Sequence, residues 1–193
     1  MYEYIRGTIT DLNPASIVVE ASGIGFVATI SLNTYSKLNG KKEVLLLTHQ
    51  VVREDAHLLY GFADKNERDI FRSLISVNGV GANTAIMMLS YLNTDEIISA
   101  ITTENVMVLK AVKGIGLKTA QRIIIDLKDK LGKMPETGQI FQHADNTIRN
   151  EALSALVMLG FAKKDAEKVV SNIMQEQPGV AVESVIKQSL KRL

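Results

Sequence analysis

Two stretches of this chain repeat one another thirty-five residues apart. The first is Leu74-Ile75-Ser76-Val77-Asn78-Gly79-Val80-Gly81-Ala82-Asn83-Thr84-Ala85, and the second Leu109-Lys110-Ala111-Val112-Lys113-Gly114-Ile115-Gly116-Leu117-Lys118-Thr119-Ala120. Leucine, valine, both glycines, the β-branched residue between them, threonine and alanine recur in register. Each copy predicts a short helix, a Gly-x-Gly hairpin and a second helix that begins on small residues. Gly79/Gly81 and Gly114/Gly116 permit positive φ and let another backbone approach closely. The amides at the start of the second helix lack intrahelical partners and can face an anion. Val80 and Ile115, between the glycines, are expected to plug inward and lock each hairpin.

This pattern resembles the helix-hairpin-helix motif, which grips a phosphate backbone without reading bases. A single Gly-x-Gly carries little weight, whereas two copies in register, each followed by Thr-Ala, carry more. A pair of tight turns in a helical bundle is the plainer alternative. Gly116-Leu117-Lys118-Thr119 superficially looks like the end of a nucleotide-binding loop. Leu117 separates glycine from lysine, the upstream glycine is missing and no strand precedes it, so it is not a Walker A sequence.

Across 193 residues, 46% hydrophobic content suffices for one large domain or two to three small ones. The chain has no cysteine, which excludes disulfides, thiol nucleophiles and cysteine metal sites. No leader-like segment or membrane-length apolar run is present, so the expectation is a cytoplasmic protein without membrane attachment. A formal charge of only +1 argues against indiscriminate polyanion binding. Residues 1–63 carry five Lys/Arg against six Asp/Glu, and residues 64–133 ten against eight. A grip on nucleic acid must therefore depend on local placement of charge and on oriented amides.

Residues 1–63 read as β-structure. Tyr4–Thr10, Ser16–Glu20, Ile24–Ile30, Val44–Val52 and His57–Phe62 predict five short strands, with turns at Asn13-Pro14, Ser22-Gly23 and Arg53-Glu54-Asp55. Five strands in this length suit a closed barrel of the oligonucleotide-binding type, with a sandwich as the alternative. At Asp64 the period becomes helical. Asp64-x-x-Glu67 and Asn93-x-x-Glu96 predict capping boxes, and a long helix is expected over about 118–131. Lys118 and Arg122, four apart, share one face of it.

Residues 134–146 lose periodicity around Pro135, Thr137 and Gly138 and read as a flexible linker. Residues 147–193 then predict three helices. Their apolar stripes are Ile148/Ala152/Ala155/Leu156/Leu159, Ala166/Val169/Val170/Ile173 and Val182/Val185/Ile186/Leu190. With its Leu159-Gly160-Phe161 turn, this module resembles ubiquitin-associated-type domains, which serve protein contact; a stabilising cap is the alternative. The fold class is thus α+β and multidomain: a five-stranded barrel (1–63), a tandem helix-hairpin-helix domain (64–133), a linker and a three-helix module.

That order of parts resembles the bacterial RuvA family over essentially the whole chain. The most specific stretches are Thr48–Phe62, the two glycine hairpins and Ala155–Phe161. The resemblance implies a homotetramer that holds a four-way (Holliday) junction open and square, as one or two tetramers. It implies the RuvB hexameric ATPase as motor partner and the RuvC resolvase in a larger complex, serving recombination and repair. Backbone contacts would fall to Gly79, Val80, Gly81, Gly114, Ile115 and Gly116, helped by Thr84, Lys113, Lys118, Thr119 and Arg122. Glu54 and Asp55 would form an acidic pin near the crossover, where carboxylates repel phosphates; from the residues alone, two solvated charges in a turn remain the alternative. Leu156, Leu159, Gly160 and Phe161 would lie near the RuvB contact. Asn83 and Leu117 stand where the family commonly has a basic residue, which implies one cation fewer at each hairpin and heavier reliance on tetramer avidity.

A structure-specific nuclease and an interaction adaptor are the competing classes. A metal nuclease needs clustered carboxylates, usually with His or Lys. Glu54 and Asp55 are the only close acidic pair in the barrel segment, with His49 and His57 nearby and no third ligand evident. The expectation is a non-catalytic chain that needs no cofactor or metal, with ATP hydrolysis residing in its partner.

Overall fold

A computed structural model describes residues 1–131, 144–177 and 179–193. The chain divides into two units, Met1–Met134 and Pro135–Leu193. In the first, strands β1 (Tyr4–Asn13), β2 (Ser16–Ala21), β3 (Ile24–Ile30), β4 (Glu43–Val52) and β5 (His57–Phe62) close a barrel in the order β1-β2-β3-β5-β4. The expected strands and the barrel are both present, which removes the sandwich alternative. Closure depends on the length of β1. Its first half pairs with β4 (Tyr4 opposite Leu47) and its second half with β2 (Asn13 opposite Ser16), with a bulge between Ile9 and Asp11. At the changeover a Cβ on Gly7 would lie 2.0 Å from the Glu20 carbonyl oxygen, so only glycine fits where the two backbones meet. A parallel pairing of β3 with β5 (Thr29 opposite Tyr60) completes the ring. Ile5, Ile17, Val19, Ala28, Ile30, Val44 and Leu46 fill its interior.

One element in the barrel had no counterpart in the strand pattern. Helix α1 (Leu32–Leu38) joins β3 to β4, capped by Ser31, whose hydroxyl accepts from the Thr34 amide. Its seven residues bury only Thr34 and Leu38, too few to give a helical period.

The helical layer comprises α2 (Lys65–Ile75), α3 (Ala82–Tyr91), α4 (Thr94–Thr102), α5 (Val106–Lys110) and α6 (Leu117–Leu131). Asn93 and Glu96 complete the expected capping box. Asp64 and Glu67 form only half of theirs. Asp64 accepts from the Glu67 amide at 2.9 Å, but the Glu67 side chain turns away from the cap. It is fully buried and accepts hydrogen bonds from the Ser31 hydroxyl and, at 2.8 Å, from the Thr34 hydroxyl, tying α2 to the cap of α1. Burial pushes the Glu67 carboxyl above its ordinary value, against the opposing pull of these two donors and of Lys37. Arg68, nearly buried, donates to the Glu3 carbonyl at 2.9 Å and pairs with its carboxylate at 2.6 Å, pinning the start of the chain to α2. Phe71 packs between Phe62 and Tyr60, ring centroids 5.0 and 5.1 Å away, so β5 contributes to the helical core as well as to the barrel.

In the second unit α7 (Ala144–Met158), α8 (Lys163–Glu176) and α9 (Val182–Ser189) enclose Ala152, Leu156, Ala166, Val170, Ile173 and Val185. Most of the expected linker lies outside the described residues, as does His143; residues 144–146, assigned to it by sequence, begin α7. The first stripe is also shorter than its spacing implied. The helix stops at Met158, Gly160 takes φ +98°, and the Phe161 amide returns to the Leu156 carbonyl at 3.1 Å. This is a Schellman-type stop, and it leaves Leu159 61% exposed.

Candidate nucleic-acid interface

The two repeated stretches fold alike. In the first, the Val77 amide bonds to the Leu74 carbonyl at 3.1 Å and the Val80 amide to the Val77 carbonyl at 3.0 Å. In the second, Val112 bonds to Leu109 at 3.3 Å and Ile115 to Val112 at 3.1 Å. Gly79 and Gly114 take φ +93° and +90°, a region that L side chains resist. Val80 and Ile115 are each 5% exposed and belong to one core, so both hairpins are plugged as expected and anchored in common. Each plug turns its side chain to the protein interior and spends its amide on the Val77 or Val112 carbonyl, so it fixes the hairpin rather than facing outward.

Beyond each plug a helix begins. Gly81 caps α3 with extended φ and ψ and has no side chain to accept from the first-turn amides. Those amides are open to an outside acceptor, and the helix dipole favours an anion there. In the second copy the Ala120 amide bonds to the Gly116 carbonyl at 2.9 Å, matching Ala85 to Gly81 at 3.0 Å. A Cβ at Gly79, Gly81, Gly114 or Gly116 would meet nothing within 4 Å, so space lies over both hairpins. Lys113 and Lys118 are exposed around the second hairpin. Arg122, four residues after Lys118, is also exposed and lies 3.8 Å from Asp126. Thr84 and Thr119 are half-buried in the first turns of α3 and α6.

Glu54 and Asp55 are exposed at the bend between β4 and β5, closed by the Arg53 amide on the Ala56 carbonyl at 2.8 Å. His49, on β4, is turned towards α2. It accepts from Arg72 Nε at 3.4 Å and lies edge-on to Phe71, and burial, with the nearby charges of Arg72 and Arg68, holds its pKa below the ordinary value. His57 is exposed at the start of β5. Among the described residues no group of three His, Cys, Asp or Glu could hold a metal ion. No helix among them is long and apolar enough to cross a membrane.

On the second unit, Phe161 packs partly against the core and Leu156 is fully buried. Leu156 therefore offers no side-chain surface of its own and belongs to the core beneath the turn. Val157, Met158 and Leu159 are the exposed apolar residues beside it; Val157 and Met158 fall off the buried stripe of α7.

The fold and its paired hairpins define a tandem helix-hairpin-helix protein with a barrel of the oligonucleotide-binding type. Family models match the chain in three places: RuvA N terminal domain over residues 1–61, SAM-like helix-hairpin-helix tandem over 71–129, and RuvA, C-terminal domain over 147–193. The chain is 52% identical to the Holliday junction branch migration complex subunit RuvA of Bacteroides thetaiotaomicron. It is 49% identical to the subunit of that name from Christiangramia forsetii and 47% to that from Flavobacterium psychrophilum. In each comparison all of both chains is covered. The chain belongs to the RuvA family.

Proposed function

We propose that this protein is the junction-binding subunit of a branch-migration complex: as a tetramer it holds a four-way DNA junction open and square and recruits a RuvB-type ATPase to drive the strands. The observation that carries this is the duplicated hairpin. Two like-folded glycine hairpins share a core, in a chain about half identical along its full length to proteins of that name. Gly79, Gly81, Gly114 and Gly116 would present main-chain groups to a DNA backbone, while Val80 and Ile115, whose amides bond to the Val77 and Val112 carbonyls, would hold each hairpin in place beneath it. Lys113, Lys118 and Arg122 would add charge, and Thr84 and Thr119 hydroxyl contacts. None of these contacts reads a base, which suits a junction that must move through any sequence.

Glu54 and Asp55 would act by repulsion. Two carboxylates held on a bend beside phosphates keep strands apart where bases change partners, and they penalise ordinary duplex at the same place. Residues 1–63 would form the pin-bearing barrel and 64–133 the arm-holding domain. Residues 147–193 would dock the motor through the exposed residues around Leu159-Gly160-Phe161, with the segment ahead of α7 as the tether. A RuvC-type resolvase and a second tetramer are further partners on the same junction. The subunit itself performs no catalysis, takes no cofactor and works in the cytoplasm.

Fluorescence resonance energy transfer between labelled arms of a four-way junction tests this reading. Mg²⁺ stacks the arms in pairs, and addition of protein should equalise the arm-to-arm distances. Binding with the stacked distances retained would refute the open-square proposal.

A further inference from the structure

The two hairpins match in backbone but differ in charge. From Ser73 to Thr94, around the first hairpin, there is no charged residue. From Lys110 to Arg122, around the second, Lys110, Lys113, Lys118 and Arg122 occur with no acidic residue among them. In the repeat, Asn83 occupies the place of Lys118.

They differ also in how they are held. The Tyr60 hydroxyl donates to Asn83 Oδ1 at 3.1 Å, linking β5 to the first turn of α3. The Tyr60 side chain is 1% exposed and fixed against Phe71. A phenol is protonated near neutral pH, and burial raises the Tyr60 pKa further, so its hydroxyl is the donor in this bond. At the far end of α3, Asn33 Nδ2 donates to the Leu89 carbonyl at 2.6 Å and to the Leu92 carbonyl at 3.1 Å, and the Leu32 amide donates to Ser90 Oγ at 3.1 Å. Helix α3 is thus bonded to the barrel segment at both ends. Among the described residues, the side-chain bonds of α6 run within itself or to Glu104 of the helical layer.

Resting on the reading of the hairpins as phosphate grips, we infer that Asn83 is a positioning residue: bonded to Tyr60, it keys the first hairpin to the barrel that carries the Glu54–Asp55 bend, while the second hairpin supplies the ionic grip. A lysine at position 83 would add charge and remove the acceptor. The asparagine therefore forgoes an ionic bond to phosphate in favour of a fixed placement of one DNA arm relative to the pin. Such placement governs discrimination between a junction and a linear duplex, since a duplex need satisfy only the hairpins.

The test compares full-length wild type, Tyr60→Phe, Asn83→Ala and the double variant for affinity to a four-way junction and to linear duplex, over a salt series. One neutral hydrogen bond corresponds to about a fivefold change. Each single variant should lower the junction-to-duplex affinity ratio by about that factor, the double variant no further, with the salt slope of wild type retained. Lys118→Gln, measured alongside, should make the slope shallower by about 0.9 for each phosphate that the lysine neutralises. A wild-type ratio in Tyr60→Phe, or additive losses in the double variant, overturns the keying and leaves the phosphate-grip reading standing. An unchanged slope in Lys118→Gln overturns the ionic half of the inference and that reading with it. Tyr60→Phe removes one oxygen from a packed ring, so the keying is tested even if Asn83→Ala melts early.

Discussion

The four hairpin glycines serve two different purposes, and alanine substitution separates them. Gly79 and Gly114 sit at φ +93° and +90°. An L residue there costs about 1–2 kcal/mol of backbone strain, and a Cβ meets nothing that could offset it. Gly81 is at φ −84° and ψ 165°, ordinary for alanine. Replacing it loses about 0.5–1 kcal/mol of capping preference, since glycine ranks well above alanine at an N-cap, and recovers about 0.4–1 kcal/mol through a stiffer unfolded chain. Gly81→Ala should therefore fold within about 0.5 kcal/mol of wild type. Its methyl group, however, would enter the space over the first-turn amides. Losing one charge-assisted hydrogen bond there, about 1.5–3 kcal/mol, weakens DNA binding by roughly ten- to a hundredfold. Urea denaturation and fluorescence anisotropy on a labelled duplex read the two effects separately. Gly81→Ala and Gly116→Ala should bind poorly and fold normally, whereas Gly79→Ala and Gly114→Ala should lose stability. Wild-type affinity in both Gly81→Ala and Gly116→Ala would refute the claim that these amides meet the backbone.

Glu67 gives a pH signature of known sign. Its folded pKa is raised above the ordinary 4.5, so its stabilising share is full below about that pH and is lost as pH rises through the raised value. The stability of wild type minus that of Glu67→Gln should fall as pH rises above about 4.5 in urea melts; a difference that grows with pH contradicts this. On the second unit, Leu156→Asp should unfold the module, whereas Leu159→Asp should leave its circular dichroism unchanged and slow motor-driven migration. The reverse pattern would invert the assignment of buried and presenting residues. Deleting residues 147–193 should abolish RuvB-dependent migration and spare junction binding, and loss of binding would sink the division of labour.

What the sequence disclosed followed from local periods. The five strands, the plugs Val80 and Ile115 and the Asn93 cap each rest on residues a few positions apart, where spacing alone dictates the geometry. What it concealed depended on distant partners. Helix α1 has seven residues and two buried ones, so no period could form. Glu67 stands at the right place for a capping box but answers to Ser31 and Thr34, more than thirty residues earlier. Asn83 read as an absent cation because Tyr60, its partner, is twenty-three residues away. Charge and motif located the candidate interface; how its first hairpin is fixed to the barrel was visible only in three dimensions.

The central claim is that a repulsive bend and a pair of attractive hairpins together select a junction over a duplex. A gel-shift competition between a four-way junction and linear duplex, run for wild type and for Glu54→Gln/Asp55→Asn, tests it most directly. Wild type should prefer the junction strongly, and the neutralised bend should raise duplex binding while junction binding persists. Equal affinity of wild type for both DNAs would leave only a generic backbone binder and contradict the account.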